Sequence, residues 1–162
     1  MKHLFRAVLL LVLCLPVFAG SPMLHLKYGV VDTSLRAAPK MAQDGLFVEQ
    51  FAPEEQRLYL VQFDGPVTVE AKALLEGAGL VAADYVPDNA FIVWGTGSQV
   101  ASLKDPMIRW KGVFQPAYRL DSSLQASKAA KSRVRVVLYP FADEMGCRFI
   151  LTDAGCGLEK IG

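Results

Sequence analysis

Two histidines, three cysteines and 16 acidic residues are what this 162-residue chain offers for chemistry, and their spacing assembles no catalytic set. A Ser–His–Asp arrangement needs a histidine base. His3 falls in the apolar first residues, and His25 stands in a stretch without periodicity. The adjacent carboxylates Glu54-Glu55 and Asp143-Glu144 fall in a linker or at a helix start. There they favour the helix dipole, so capping is a plainer role for them than acid–base work. Cys147 and Cys156 are separated by a stretch that reads as mostly helical. That places them about 13 Å apart, beyond the roughly 7 Å that a disulfide spans. They are expected to be small buried residues. No metal or cofactor is expected, and the chain by itself is not expected to be an enzyme.

The formal net charge of +1 provides no electrostatic footprint for nucleic acid or anionic lipid. Lys128, Lys131, Arg133 and Arg135 read as a solvated linker and strand face. Lys2 and Arg6 precede an apolar run from Ala7 to Ala19 that ends in Val17-Phe18-Ala19. A positive end, a short apolar core and a small-residue exit describe a secretory signal peptide over residues 1–19, cut between Ala19 and Gly20. The run is shorter than the about 20 residues a membrane span requires. Cys14 lies inside the apolar core between Leu13 and Leu15, a poor place for lipid attachment. The expected product is secreted or periplasmic, without a membrane span in the mature chain.

What must position any site begins after a lead-in. Residues 20–56 carry Pro22, Pro39 and Pro53 and read as flexible, with one edge strand open to Met23–Val31. Leu58 to Phe63 is a strand, apolar apart from Gln62. Gly65-Pro66 opens a helix whose apolar face is Val67, Ala71, Leu74, Leu75 and Ala78, and Gly79 stops it. Strands follow at Leu80–Val86 and Ala90–Trp94, joined by a Pro87-Asp88-Asn89 turn. Thr96 and Gln99 form a capping box for a short helix that Asp105-Pro106 ends, and Met107–Phe114 is a last strand. The order βαββαβ over residues 57–114 predicts an α+β, ferredoxin-like split βαβ domain: an antiparallel sheet with two helices on one face. The sheet's other face has no helix to cover it, which in so small a domain predicts a partner there. Residues 115–132 read as a linker. Residues 133–162 repeat the first unit at one constant spacing and read as a truncated second copy, with a strand at Val134–Tyr139, a helix from about Ala142 to Ala154 and a strand at Cys156–Ile161.

Known activities of ferredoxin-like units demand particular residues. Metal carriers need paired cysteines in the first strand-to-helix loop, and acyl-phosphate hydrolysis needs an arginine there. Asp64-Gly65-Pro66 has neither. Tyr59, Phe91 and Trp94 lie on the central strands as RNA-binding aromatics do, but export and the charge balance favour sheet packing.

Three stretches carry a resemblance: Tyr59-Leu60-Val61-Gln62-Phe63-Asp64-Gly65-Pro66, Asp84-Tyr85-Val86-Pro87-Asp88-Asn89-Ala90-Phe91-Ile92-Val93, and Ile108-Arg109-Trp110-Lys111-Gly112-Val113-Phe114-Gln115-Pro116-Ala117-Tyr118-Arg119. In this order they resemble the N-terminal propeptide, or peptidase-inhibitor, region of secreted bacterial subtilisin-like serine peptidases. The resemblance implies an intramolecular chaperone and temporary inhibitor whose partner is a subtilisin-like catalytic domain in cis, absent from these residues. It implies that the open sheet face packs on protease helices, with Asp84 or Asp88 capping their N-termini. It also implies that Phe114-Gln115-Pro116-Ala117-Tyr118-Arg119 lies extended in the substrate cleft. The alternative is a stand-alone secreted binding or adhesion module, or protease inhibitor, built from ferredoxin-like repeats.

Overall fold

The computed structural model describes residues 21–27, 29–35, 46–121, 124 and 131–159. The expected leader and its Ala19–Gly20 cleavage pair lie outside the described residues, as do 122–123 and 125–130 of the expected linker. The chain divides into two compact units, residues 1–119 and 120–162.

The first unit holds two antiparallel sheets. Strands β1 (Met23–Leu26) and β2 (Gly29–Asp32) form a hairpin, with Leu24 opposite Val31. The stretch expected as a flexible lead-in is thus partly built. Four longer strands follow: β3 (Arg57–Phe63), β4 (Val81–Val86), β5 (Ala90–Gly95) and β6 (Ile108–Val113). They pair antiparallel in the order β4-β5-β3-β6. Tyr59 stands opposite Val93, and Val61 opposite Phe91. The fold of this unit is α+β.

Helix α1 (Val69–Gly77) starts later than Gly65-Pro66 suggested. Thr68 is its N-cap and accepts from the Ala71 N–H at 3.3 Å, so a side-chain acceptor sets the start instead of the proline. At its other end Gly79 adopts φ +75°, the Gly79 N–H donates to Glu76 O and the Leu80 N–H to Leu75 O. That paired closure satisfies two end carbonyls and needs left-handed backbone, which glycine adopts without strain. Helix α2 (Gly97–Ser102) has both halves of the Thr96–Gln99 capping box. The Lys111 ammonium of β6 donates to the Val100, Ala101 and Leu103 carbonyls, closing the C-terminal end of α2.

Alternation along the strands divides the core into two layers. Tyr59, Val61, Phe63, Phe91 and Val93 pack with Ala71 and Leu75 of α1 and with Val100 and Leu103 near α2. Tyr59 and Phe91 therefore lie beneath helices and form no stacking platform. The opposite side presents Leu58, Leu60, Gln62, Ala90 and Ile92, and these are buried too. The expectation of a bare second face is overturned, because the chain covers that face itself.

In the second unit, α3 (Glu144–Asp153) is N-capped by Asp143, whose carboxylate accepts from the Gly146 N–H at 3.0 Å. Its C-terminal end repeats that of α1: Gly155 at φ +79° donates to Thr152 O, and Cys156 donates to Leu151 O. The strand expected at Val134–Tyr139 is irregular, and so is the described part of Cys156–Ile161. A lone strand has no ladder to join, and among the described residues of this unit none pairs with it. Cys147 is half-buried and Cys156 exposed, both as free thiols, so the expected burial fails at Cys156.

Candidate functional site

A polar latch centred on Gln62 lies on the second face of the sheet and includes Asp88, one of the residues singled out for partner contact. Gln62 is the one polar side chain in the run Leu58–Phe63, and it is 0% exposed at the centre of this face. Its amide finds every partner on other segments. The Nε2 group donates to Ser21 O at 2.8 Å and to Asp88 O at 3.0 Å, and Oε1 lies 2.6 Å from the Thr33 hydroxyl, whose single proton is shared between Oε1 and Pro22 O, also at 2.6 Å. Thr33 also donates its N–H to Pro22 O at 2.6 Å, which closes the open end of the β1–β2 hairpin. Near the same end, Asp32 accepts from the Ser34 hydroxyl and N–H, which lowers its pKa from the ordinary value. Leu24 and Val31 are the buried apolar pair of the hairpin.

Asp88 is the second anchor. Asp88 and Asn89 hold left-handed backbone at φ 69° and φ 63° in the turn between β4 and β5. This conformation suits short polar side chains. The Asp88 carboxylate meets His25 Nδ1 of the hairpin at 2.6 Å. Asp88 thus joins the β4–β5 turn to this chain's own hairpin. Asp84 stands where the β4–β5 register shifts, exposed, with Oδ1 accepting from the Tyr85 N–H at 2.9 Å. The two aspartates share no partner.

The segment expected to be extended is folded back. Phe114 donates its N–H to Leu58 O at 3.1 Å, and Pro116–Arg119 is a 3-10 turn. Phe114, Gln115, Ala117 and Tyr118 are buried. The Gln115 amide imitates a strand: Oε1 accepts from the Val48 N–H at 2.8 Å, and Nε2 donates to Val48 O at 2.9 Å. Ala117 N–H reaches Leu46 O at 3.1 Å. A chain threaded through a substrate cleft needs free backbone and projecting side chains, and here the Phe114 and Ala117 N–H groups are already bonded within the chain and four of the six side chains are buried. The Tyr118 hydroxyl is buried without a hydrogen-bond partner among the described residues, and burial raises its pKa. The Tyr59 hydroxyl is likewise unpartnered; burial, then the nearby Glu55 charge, raises its pKa.

Other candidates are accounted for locally. Glu54 accepts from the Ser98 hydroxyl, Glu55 pairs with Arg57, and Asp143 caps α3. Asp64, in the loop tested for phosphate and metal chemistry, pairs with Arg109 at 2.6 Å. Among the described residues no three His, Cys, Asp or Glu side chains gather as a metal set. No described helix is long and apolar enough to cross a membrane. Sequence reasoning missed the latch of Gln62, Thr33 and His25. Its one local signal was the polar interruption at Gln62.

An α+β unit with both sheet faces covered and a polar latch at one of them defines a closed domain. A domain family of unknown function (DUF8729) matches residues 25–115, more than half of the chain, and the chain belongs to that family. The match runs from His25 of the hairpin to Gln115 of the folded-back segment. No curated protein and no solved structure matches the chain.

Proposed function

We propose that residues 57–114 are a ferredoxin-like split βαβ unit in the N-terminal propeptide region of a secreted subtilisin-like serine protease precursor. It acts as chaperone and temporary inhibitor of the protease domain and catalyses nothing itself. Export follows from the leader, with cleavage after Ala19. One observation carries the reading. The three stretches that resemble the peptidase propeptides fall on β3, on the β4–turn–β5 hairpin and on β6 with the turn after it, so each strand of the four-stranded sheet carries part of the likeness. Its order β4-β5-β3-β6 sets the first and third strands at the centre. Contact with a protease then falls outside the hairpin-covered face and the 114–119 segment, both occupied by the chain itself.

That closure favours a second reading, a stand-alone secreted binding module, because a domain with both sheet faces covered needs no protease to complete its core. One experiment separates the two. The purified chain is added to a panel of subtilisin-like proteases, and peptide hydrolysis and the refolding yield of denatured protease are followed. Inhibition together with faster refolding supports the propeptide reading. A stably folded chain that alters neither quantity for any protease rejects it in favour of the module.

A further inference from the structure

The second unit carries the apolar pattern of the first without its burial. Val136 and Val137 are 54% and 80% exposed, whereas Leu60 and Val61 at the corresponding repeat positions are each 0% exposed. Met145, Phe149 and Ile150 of α3 are exposed as well. In the first unit β3 is flanked by β5, antiparallel, with Leu60 opposite Ile92 and Val61 opposite Phe91. Residues near α2 then close the same layer over Val61. One strand–helix half is thus completed by a second half running the opposite way.

We propose that residues 131–159 form an interface between two copies of this chain. The 134–139 segments pair antiparallel about a two-fold axis, and the two α3 helices lie side by side on one face. A self-complementary patch of this kind is what a two-fold dimer requires. Charge selects the same arrangement. Within 134–139 the one charged side chain is Arg135, while Arg133 just before it pairs with Glu159 of its own copy at 3.5 Å. A two-fold axis normal to the sheet sets residues of one face opposite each other, so the centre falls on Val136 or Val137. The first centre opposes Val134 to Leu138, and the second opposes Arg135 to Tyr139, a cation beside an aromatic ring. Parallel in-register stacking would set Arg135 on Arg135. Antiparallel helices crossing near Gly146 bring Glu144 of one copy to Arg148 of the other. These opposite charges lie 4.0 Å apart within one copy.

The test is sedimentation equilibrium of the purified chain under reducing conditions, which keep the exposed Cys156 from linking copies. A reversible dimer is expected, with amide exchange over 134–139 slowing as concentration rises. Val136→Lys and, separately, Phe149→Glu should each raise the dimer dissociation constant by about a hundredfold or more. Phe149 is exposed in the single copy, so its replacement leaves the monomer fold intact. Val69→Glu, at an exposed position of α1, should leave the constant unchanged. A single-copy mass at every concentration overturns the proposal. So does a dimer indifferent to both interface substitutions, or one lost equally with Val69→Glu.

Discussion

The Thr33 hydroxyl stands 2.6 Å from Gln62 Oε1, joining the end of the hairpin to the middle of the sheet with both side chains buried. Thr33→Val keeps the shape and removes the donor. The buried Gln62 oxygen then loses its partner, which costs about 1–3 kcal/mol. Denaturant unfolding should show a lower midpoint with little change in slope. An unchanged midpoint would mean the latch contributes nothing.

His25 and Asp88 form an exposed addition to that latch, at 2.6 Å with the histidine side chain more than half exposed. Exposed ion pairs contribute at most about 1 kcal/mol. His25→Ala should therefore destabilise far less than Thr33→Val and leave Leu24 buried. A His25→Ala loss equal to that of Thr33→Val, measured by the same unfolding, would make the pair the principal anchor.

Tyr118 supports a prediction in alkali. Burial raises its pKa above the ordinary value of 10.0, so the folded chain holds this proton where the unfolded chain releases it. Stability is complete below about pH 10 and falls as pH rises from there toward the folded value. Because its hydroxyl has no partner, Tyr118→Phe should cost nothing near neutral pH and should lessen the alkaline loss. Unfolding curves across pH 8–11 on both proteins check this; identical slopes would reject it.

Gly79→Ala tests the α1 terminus. A Cβ at φ +75° is strained and would meet Gln99 Nε2 at 2.6 Å, where that group donates to Gly79 O. The expected cost is about 1 kcal/mol from backbone conformation, with more from the displaced Gln99. Gly155→Ala, at φ +79° with no atom near the added carbon, should show the backbone cost alone in local exchange of α3. Equal losses at both sites would remove Gln99 from the account.

Lys111 closes α2 through three carbonyls. Burial, then the Lys104 charge, lowers its pKa, yet its stem still crosses to the helix end. Lys111→Met keeps the stem and removes the donors, so the last turn of α2 should exchange about tenfold faster, roughly the worth of one charge-assisted hydrogen bond. Unchanged exchange at Val100 and Leu103 would count against this role.

How far the chain could be read in advance followed the range of the forces involved. Capping at Thr96 and Gln99, the Gly79 stop, the turn through Asp88 and Asn89, and the apolar alternation of β3 and β5 all act within a few residues. They were legible in the sequence because backbone conformation and periodicity are local properties. The α1 start was misplaced only because Thr68 offered a better acceptor than Pro66 offered a ring. The fate of the second sheet face was decided elsewhere. Leu58, Leu60 and Ile92 advertise a surface that must be covered, and nothing near them in sequence names the cover. Gln62 meets Thr33 across 29 residues and Ser21 across 41, and Gln115 meets Val48 across 67. Whether such distant polar groups come together depends on apolar burial closing the loops between them, a cost and gain set only in the folded chain. Residues alone determined the strands of the four-stranded sheet and the helix caps. Tertiary structure alone decided that the chain itself would bury the second sheet face and fold the 114–119 segment back.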